Sequence, residues 1–169
     1  ISYSSINDDF VVIPTSTNQF SVVDIYDGSF MWNDGFNSSS KNIFEFSNEA
    51  YSFLDEDNLY FANNENGIVS FNSSLELMNW EILLGVDGLP WMSGNSLFFI
   101  SKSGFIICIR KKDGKIRWKY KLPKDKDTNN LIKYFGPLVL SGQVFTINEN
   151  GKMILLNSYD GTLILEKEI

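Results

Sequence analysis

A pattern that recurs four times along the chain constrains its fold more than any other feature. Three Asp-Gly pairs are each followed, four residues after the glycine, by a large apolar residue: Gly28 by Trp32, Gly114 by Trp118 and Gly161 by Leu165. A fourth copy keeps only the tryptophan, Trp80. The anchor positions 32, 80, 118 and 165 are 48, 38 and 47 residues apart. Such spacings are typical of β-propeller blades, whose repeats span roughly 40 to 50 residues.

A second landmark, a glycine, stands 13 or 14 residues before each anchor except the first. These glycines are Gly67, Gly104 and Gly151, and the first copy has Asn18 in their place. The segment between the two landmarks is mostly apolar. An Asp-Gly pair between two apolar runs predicts a tight β-hairpin, and we expect a type I′ turn because both of its central positions need positive φ.

Each repeat contains further short apolar runs that predict a meander of four strands. The second strand is predicted at 10–13, 59–62, 97–100 and 144–147, the third at 20–24, 67–71, 104–109 and 151–156, and the first most clearly at 90–92 and 137–140. Turn residues separate the runs, and helical periodicity is absent. The sequence therefore predicts an all-β fold, a single propeller segment over 1–169 with approximate blades at 1–36, 50–84, 89–122 and 136–169.

The predicted fourth strand of the third repeat alternates between apolar and basic residues. Its apolar residues are Ile116, Trp118, Tyr120 and Leu122, and its basic residues are Lys115, Arg117, Lys119 and Lys121. Alternation places the two sets on opposite faces of a strand. Lysines suit the outermost strand, since charge discourages pairing with another sheet edge. We expect the tryptophan to pack between adjacent blades.

The number of repeats suggests that the chain is half of a larger propeller. Its 169 residues are 43% hydrophobic and begin at Ile1 without a methionine, a signal peptide or a lipid-attachment cysteine. We therefore expect it to derive from a longer precursor. An open set of blades leaves apolar faces unburied, so we expect missing sequence or a second copy to complete the propeller.

Residues suited to catalysis are scarce. The chain has no histidine, the commonest general base and a frequent zinc ligand, and its one cysteine, Cys108, stands in an apolar run that favours a buried structural thiol. No phosphate-binding glycine loop is present. We assign no catalytic, cofactor-binding or metal-binding residue and predict that the protein is not an enzyme.

The densest acidic cluster is Asp55-Glu56-Asp57-Asn58. Its oxygen atoms could bind calcium, but the spacing matches no complete calcium loop. We favour a solvated hairpin tip between the first and second strands of its blade.

Charge is distributed unevenly along the chain. Residues 1–100 contain one base and 14 acids, whereas residues 101–169 contain 13 bases and seven acids. Ten of these bases lie between Arg110 and Lys133. This basic stretch could contact an acidic protein domain or anionic lipid head groups. The alternative, which we favour, is protection of a sheet edge together with a mobile loop at 123–130. Nucleic acid is not an expected partner, since the chain is acidic overall and shows no base-stacking platform.

Several segments resemble one known family. The stretch from Gly114-Lys115-Ile116-Arg117-Trp118 to Leu122-Pro123, then Gly136-Pro137-Leu138-Val139, Gly151-Lys152-Met153-Ile154 and Asp160-Gly161, is similar to the C-terminal blades of the BamB lipoprotein family. An earlier blade resembles the same family at Pro90-Trp91-Met92-Ser93-Gly94-Asn95 and Phe98-Phe99-Ile100. The resemblance covers essentially the whole chain. Its blade signature is shared by propellers with pyrroloquinoline-quinone-type repeats, although the adjacent cysteine pair of the quinone-dependent dehydrogenases is absent here.

The resemblance implies an eight-bladed, non-enzymatic scaffold on the periplasmic face of the bacterial outer membrane, held there by a lipid anchor that is not in this chain. The implied partners are the periplasmic domains of the barrel-assembly protein BamA and unfolded outer-membrane proteins. Family members contact partners through loops with an acidic residue before a blade strand, and Glu49 matches best. The threonine-proline pair that normally follows is missing, and a residue such as Glu49 is more often simply an exposed loop acid.

Other classes of protein fit the same repeats. The luminal domains of endoplasmic-reticulum stress-sensor kinases use similar β-repeats, and the Asn-Ser-Ser triplets at Asn37 and Asn72 would then be glycan acceptors in the endoplasmic-reticulum lumen. A propeller that binds some other protein is a third alternative, since a fold alone does not fix a function.

Overall fold

The computed structural model describes residues 2–14, 20–32, 50–55, 58–64, 67–72, 77–125 and 128–169. The chain divides into two compact units, Ile1–Gly85 and Val86–Ile169. All regular structure in the described ranges is β-strand and turn. Each unit contains two sheets built from consecutive strands, so the predicted all-β architecture with four blades is confirmed.

The first unit begins with the short strand β1 (Ser2–Tyr3). The first blade follows as β2 (Ser5–Ile6), β3 (Phe10–Pro14), β4 (Phe20–Asp24) and β5 (Phe30–Trp32), and the second blade as β6 (Ala50–Asp55), β7 (Asn58–Asn63), β8 (Ile68–Asn72) and β9 (Leu77–Ile82). Strands within a blade pair antiparallel in sequence order, while β1 joins the second blade in parallel beside β6. The core of this unit contains residues from both sheets, among them Val12, Val22, Leu59, Phe61 and Val69.

The second unit repeats this plan. The third blade consists of β10 (Val86–Ser93), β11 (Ser96–Ser101), β12 (Phe105–Arg110) and β13 (Ile116–Lys121), and the fourth of β14 (Tyr134–Leu140), β15 (Gln143–Asn148), β16 (Lys152–Asn157) and β17 (Leu163–Glu168). One core lies between the two sheets: Phe98, Ile100, Ile106, Cys108 and Trp118 from the third blade meet Tyr134, Val144, Ile154 and Leu156 from the fourth. The strand positions predicted from the apolar runs agree with these elements.

A β-bulge interrupts the fourth strand of every blade immediately before the anchor. In the third blade Trp118 pairs with Cys108 and Ile116 pairs with Ile109, which leaves Arg117 as the extra residue. The extra residues of the other blades are Met31, Asn79 and Ile164. Because a bulge sets two residues against one, Ile116 lies on the opposite face from Trp118 and is exposed. The predicted strict alternation is therefore wrong at Ile116.

The three Asp-Gly hairpins are confirmed, but their predicted turn type is wrong. In the first blade the turn spans four residues, and the Gly28 N–H donates to the Asp24 carbonyl at 3.1 Å. The glycine alone adopts positive φ, 73° at Gly28, 67° at Gly114 and 74° at Gly161. A type I′ turn would also require positive φ at the aspartate, whereas the described non-glycine residues with positive φ are Asn129 and Ser141.

The aspartates of these turns act as hydrogen-bond acceptors. Oδ1 of Asp27 accepts from the Ser29 N–H at 2.8 Å, and Oδ1 of Asp160 accepts from the Thr162 N–H at 3.0 Å and its hydroxyl at 2.7 Å. Aspartate is favoured at turns because its side chain can accept from main-chain N–H groups nearby. A two-residue turn with positive φ at both positions occurs instead at Ser141-Gly142, between β14 and β15.

Candidate interaction surfaces

In the second unit the anchor of one repeat contacts the Asp-Gly turn of the next repeat. The indole of Trp118 is 8% exposed, and its Nε1 donates to the Ser158 carbonyl at 3.0 Å. A Cβ atom placed on Gly161 would lie 2.5 Å from Cε3 of Trp118. The tryptophan of the third blade therefore packs on the Asp-Gly turn of the fourth blade, and glycine is needed there both for its positive φ and for the close approach of the ring.

The remaining anchors differ in their surroundings. Trp80 is buried in the second blade, where its ring lies 5.9 Å from that of Tyr60. Leu165 of the fourth blade is 40% exposed. The backbone of Trp32 closes the first blade opposite Val22, and its side chain lies outside the described residues. Only the second unit thus shows a complete pairing of an anchor with a following Asp-Gly turn among the residues described.

The glycines that precede the anchors by 13 or 14 residues lie at the start of the third strand, beside the end of the fourth strand of the same blade. The Leu122 N–H donates to the Gly104 carbonyl at 2.9 Å, and the Ile169 N–H donates to the Gly151 carbonyl at 3.0 Å. At Gly67 an added Cβ atom would lie 1.9 Å from the Ile82 carbonyl oxygen. Glycine at position 67 therefore allows the end of the outermost strand to approach the main chain closely.

The basic stretch follows one sheet edge, because β13 is the outermost strand of the third blade. Lys119 and Lys121 are exposed there, and Nζ of Lys119 lies 5.6 Å from the centroid of the Phe105 ring. In the adjoining turn Arg110 binds Asp113, with Nε to Oδ1 at 2.8 Å. Hydrogen bonding from Arg110, with a smaller contribution from the attraction of its charge, lowers the pKa of Asp113 to about 2.

The predicted loop after this edge contains a hydrogen-bonded turn. Oδ1 of Asp125 accepts from the Thr128 N–H at 2.7 Å, and the Asp125 N–H donates to the Asn130 carbonyl at 3.0 Å. The Tyr134 hydroxyl donates to the Pro123 carbonyl at 3.1 Å. These bonds fix both ends of the connection between the third and fourth blades.

The outermost strands β17 of the second unit and β9 of the first unit expose apolar residues, whereas β13 exposes lysines. In β17 Leu163, Ile164 and Leu165 are exposed, and in β9 Leu77 and Met78 are exposed. An outermost strand leaves one row of main-chain groups without a neighbouring strand in its own sheet. Such apolar edges offer main-chain donors and acceptors to an extended polypeptide.

Among the described residues, the candidate thiol and the candidate carboxylates do not come together in one site. Cys108 is buried, and desolvation raises the pKa of its thiol, so the predicted burial of this side chain is confirmed. No group of three His, Cys, Asp or Glu side chains among the described residues could hold a metal ion. Asp55 pairs with Asn58 across the first hairpin of the second blade, as expected for a hairpin tip, while Glu56 and Asp57 lie outside the described residues.

The predicted partner contact Glu49 and the possible glycan acceptor Asn37 also lie outside the described residues. Asn72 is the last residue of β8. In the ranges that the structure describes, no helix has the length and apolar character needed to cross a membrane.

Four-stranded antiparallel sheets in repeat order, with the third sheet anchored to the fourth through Trp118 and an Asp-Gly turn, define a β-propeller built from pyrroloquinoline-quinone-type repeats. Residues 2–120 match the family model described as outer membrane protein assembly factor BamB. The match covers more than half of the chain, and the chain therefore belongs to this family.

Solved structures share the fold at low sequence identity. BamB from Moraxella catarrhalis superposes over 100% of this chain and 50% of its own, with a TM-score of 0.73 and 14% identity. AztD from Citrobacter koseri gives a TM-score of 0.73 at 9% identity over 99% of this chain and 47% of its own. A europium-containing methanol dehydrogenase gives 0.70 at 12% identity over 98% of this chain and 41% of its own.

These likenesses establish the fold, which a methanol dehydrogenase shares with BamB and AztD. The chain spans about half the length of the solved structures it matches. None of the curated proteins matches its sequence.

Proposed function

We propose that the chain is part of a non-enzymatic periplasmic scaffold that assists the assembly of outer-membrane β-barrel proteins. In this proposal it binds the periplasmic domains of a BamA-like protein and holds unfolded outer-membrane proteins near them. The family match over residues 2–120 carries the proposal. The described residues add sheet edges suited to binding, and their one thiol is buried.

The two outermost strands of the second unit suit different partners in this proposal. Exposed lysines on β13 attract an acidic domain and discourage strand pairing. The exposed apolar residues at 163–165 make the edge of β17 better suited to an extended, apolar client. A folded partner and an unfolded client would then bind at different blades.

Binding to a BamA-like protein can be measured with the purified chain and the isolated periplasmic domains of such a protein by biolayer interferometry. We expect saturable binding that weakens with salt and with the double variant Lys119→Glu, Lys121→Glu. The matched control is Lys102→Glu, an exposed lysine in the β11–β12 turn of the same blade, which should bind as the unmodified chain does. Absence of saturable binding would overturn the proposed partner.

The client step is tested separately by hydrogen exchange with an unfolded outer-membrane protein. We expect new protection along β17 and little change along β13. Protection confined to loops, with no change at either edge, would argue against strand addition while leaving the BamA-like partner standing.

A further inference from the structure

Four turns form one end of the two sheets in the second unit. Alternate turns of an antiparallel meander lie at opposite ends of its sheet, so the first and third turns of a blade lie at the same end. The Lys111 N–H donates to the Asn95 carbonyl in the third blade, and the Ser158 N–H donates to the Gly142 carbonyl in the fourth, both at 3.0 Å. These bonds join the two turns of each blade. We define the turn rim as residues 93–96, 110–115, 140–143 and 157–162.

The two blades meet along this rim. Nε1 of Trp118 donates to the Ser158 carbonyl at 3.0 Å, and Gly161 lies against the same ring. The third turn of the fourth blade therefore lies beside the start of β13, where the third turn of the third blade ends. The turns of the two blades are neighbouring parts of one surface.

The part of the rim that belongs to the third blade is basic. Residues 110–115 contain four bases and one acid, and the other three turns contain one further acid. Asp113 accepts a hydrogen bond from Nε of Arg110 at 2.8 Å, so Arg110 balances its charge. Lys112 is exposed, and the side chain of Lys115 is 76% exposed, with its Nζ 4.0 Å from Oδ2 of Asp113. Two ammonium groups are thus accessible to an anionic partner.

At equivalent positions the fourth blade carries an apolar and an aromatic side chain. Strand register places Leu140 where the third blade has Ser93. Tyr159 precedes the Asp-Gly pair where the third blade has Lys112. Leu140 is 62% exposed and Tyr159 is 84% exposed. The rim is therefore basic on one blade and apolar on the next.

The exposure of Leu140 and Tyr159 follows from their place on the rim. Ser93 and Lys112, their equivalents in the third blade, are exposed although the fourth blade packs against that blade. A following blade covers the face of a sheet and leaves the tips of its turns in water. These positions are therefore open to a partner whether or not another blade follows.

We propose that the turn rim of the second unit binds the surface of a membrane that contains anionic phospholipids. Tyr159 and Leu140 enter the interfacial region, where a tyrosine ring contacts acyl chains while its hydroxyl stays hydrated. Lys112 and Lys115, on the neighbouring turn, attract the lipid phosphate groups. Binding of this kind gains from both buried apolar area and attraction to anionic lipids. The inference goes beyond the proposed function and uses none of the side chains on which that function depends.

The combination of lysines with isolated apolar tips favours a bilayer over an acidic protein as the partner. A protein interface needs a closely packed core, and two apolar side chains on separate turns do not supply one. A fluid bilayer accepts single apolar side chains and needs no complementary shape.

Co-sedimentation of the chain with vesicles tests the proposal. We expect binding to vesicles of phosphatidylglycerol and phosphatidylcholine that weakens in high salt, and little binding to phosphatidylcholine alone. The double variant Lys112→Glu, Lys115→Glu should bind at least about tenfold more weakly, since two attractive charges become repulsive. The matched control is Lys102→Glu, Lys124→Glu. It changes the net charge equally at exposed lysines near the opposite end of the third blade, and it should bind within about threefold of the unmodified chain.

A second set of variants tests insertion into the bilayer. Leu140→Ser with Tyr159→Ser leaves the net charge unchanged and should weaken binding about tenfold, because the apolar contact is lost. Cys108 is buried, so a Tyr159→Cys variant can be labelled at that position with an environment-sensitive fluorophore. Its emission should shift to the blue on anionic vesicles, whereas a label at Lys102→Cys should not respond. Circular dichroism should show native β-structure in every variant.

An absence of binding to anionic vesicles would overturn the proposal, and so would equal losses in the rim variant and its charge-matched control. Unchanged binding after Leu140→Ser with Tyr159→Ser would also overturn it, because the contact would then be purely electrostatic and equally suited to an acidic protein. These outcomes do not bear on the BamA-like partner, whose test uses other lysines.

Discussion

The third and fourth blades carry the same repeat but treat their anchors differently. Trp118 and Leu165 occupy equivalent positions, each directly after a bulge and each opposite the middle of the third strand. Trp118 is 8% exposed because its indole ring packs on the Asp-Gly turn of the next blade, where Gly161 leaves room for it. Leu165 is 40% exposed. Burial of an anchor is thus decided by the blade that follows, since a residue's own strand can cover only part of its side chain.

The largest effect is expected from removing the occupied anchor. Trp118→Ala should lower the free energy of unfolding of the second unit by about 3 to 5 kcal/mol, because a buried aromatic ring and its hydrogen bond are lost. Urea unfolding followed by far-UV circular dichroism measures this loss. A cost no larger than that of Leu165→Ala would show that the contact with the fourth blade contributes little.

A slightly smaller effect is expected at the seat of the anchor. Gly161→Ala should destabilise by about 2 to 4 kcal/mol, the sum of strain at positive φ and a clash with Trp118. Gly28→Ala is the matched control, because it has the same φ and no atom within 4 Å of the added methyl group, and it should cost about 1 to 2 kcal/mol. Equal costs for the two variants would mean that the ring can move aside freely.

Leu165, the partly exposed anchor, should contribute less to the free energy of unfolding than Trp118 does. Leu165→Ala should lower the free energy of unfolding by about 1 kcal/mol, because a side chain that is 40% exposed loses little burial. Urea unfolding measures this cost, and a cost as large as that of Trp118→Ala would contradict the exposed position of Leu165.

The smallest effect on stability is expected from the aspartate side chains of the Asp-Gly turns. Asp113 has a pKa of about 2 through its hydrogen bond to Arg110, while the hydrogen bonds from Thr162 lower the pKa of Asp160. A lowered pKa favours the folded state above the ordinary value of 3.8, and this contribution disappears as the pH falls through about 2. Carboxyl NMR titration should show Arg110→Ala raising the pKa of Asp113 towards 3.8 and leaving that of Asp160 unchanged. An unchanged Asp113 would exclude Arg110 as the cause.

Much of the fold could be predicted because each blade is specified by local signals. Apolar runs of four to six residues, bounded by turn residues, placed the second and third strands correctly, since strand formation follows side-chain periodicity and turn chemistry nearby. The Asp-Gly pairs marked the correct hairpins but not the turn type, because an Asx hydrogen bond and a single left-handed glycine satisfy the same sequence. The bulge before each anchor left no signal, since a bulge depends on register with the neighbouring strand.

The candidate surfaces were less predictable. The basic run at β13 was visible in the sequence, and its place at a sheet edge followed from the repeat. The contrast between β13 and β17 required the exposure of each side chain. Glu49 stays a prediction from family resemblance, because it lies outside the described residues.

The sequence by itself determined the repeat, the strand order and the family of this protein, because these depend on residue types at short, regular spacing. Only the tertiary structure decided that Trp118 packs on Gly161, that no described atom lies within 4 Å of a Cβ atom added at Gly28, and that Leu165 is 40% exposed. The contact between Trp118 and Gly161 joins residues about 40 positions apart in the chain. Contacts across such distances arise from the packing of one blade on another, which no local sequence pattern specifies.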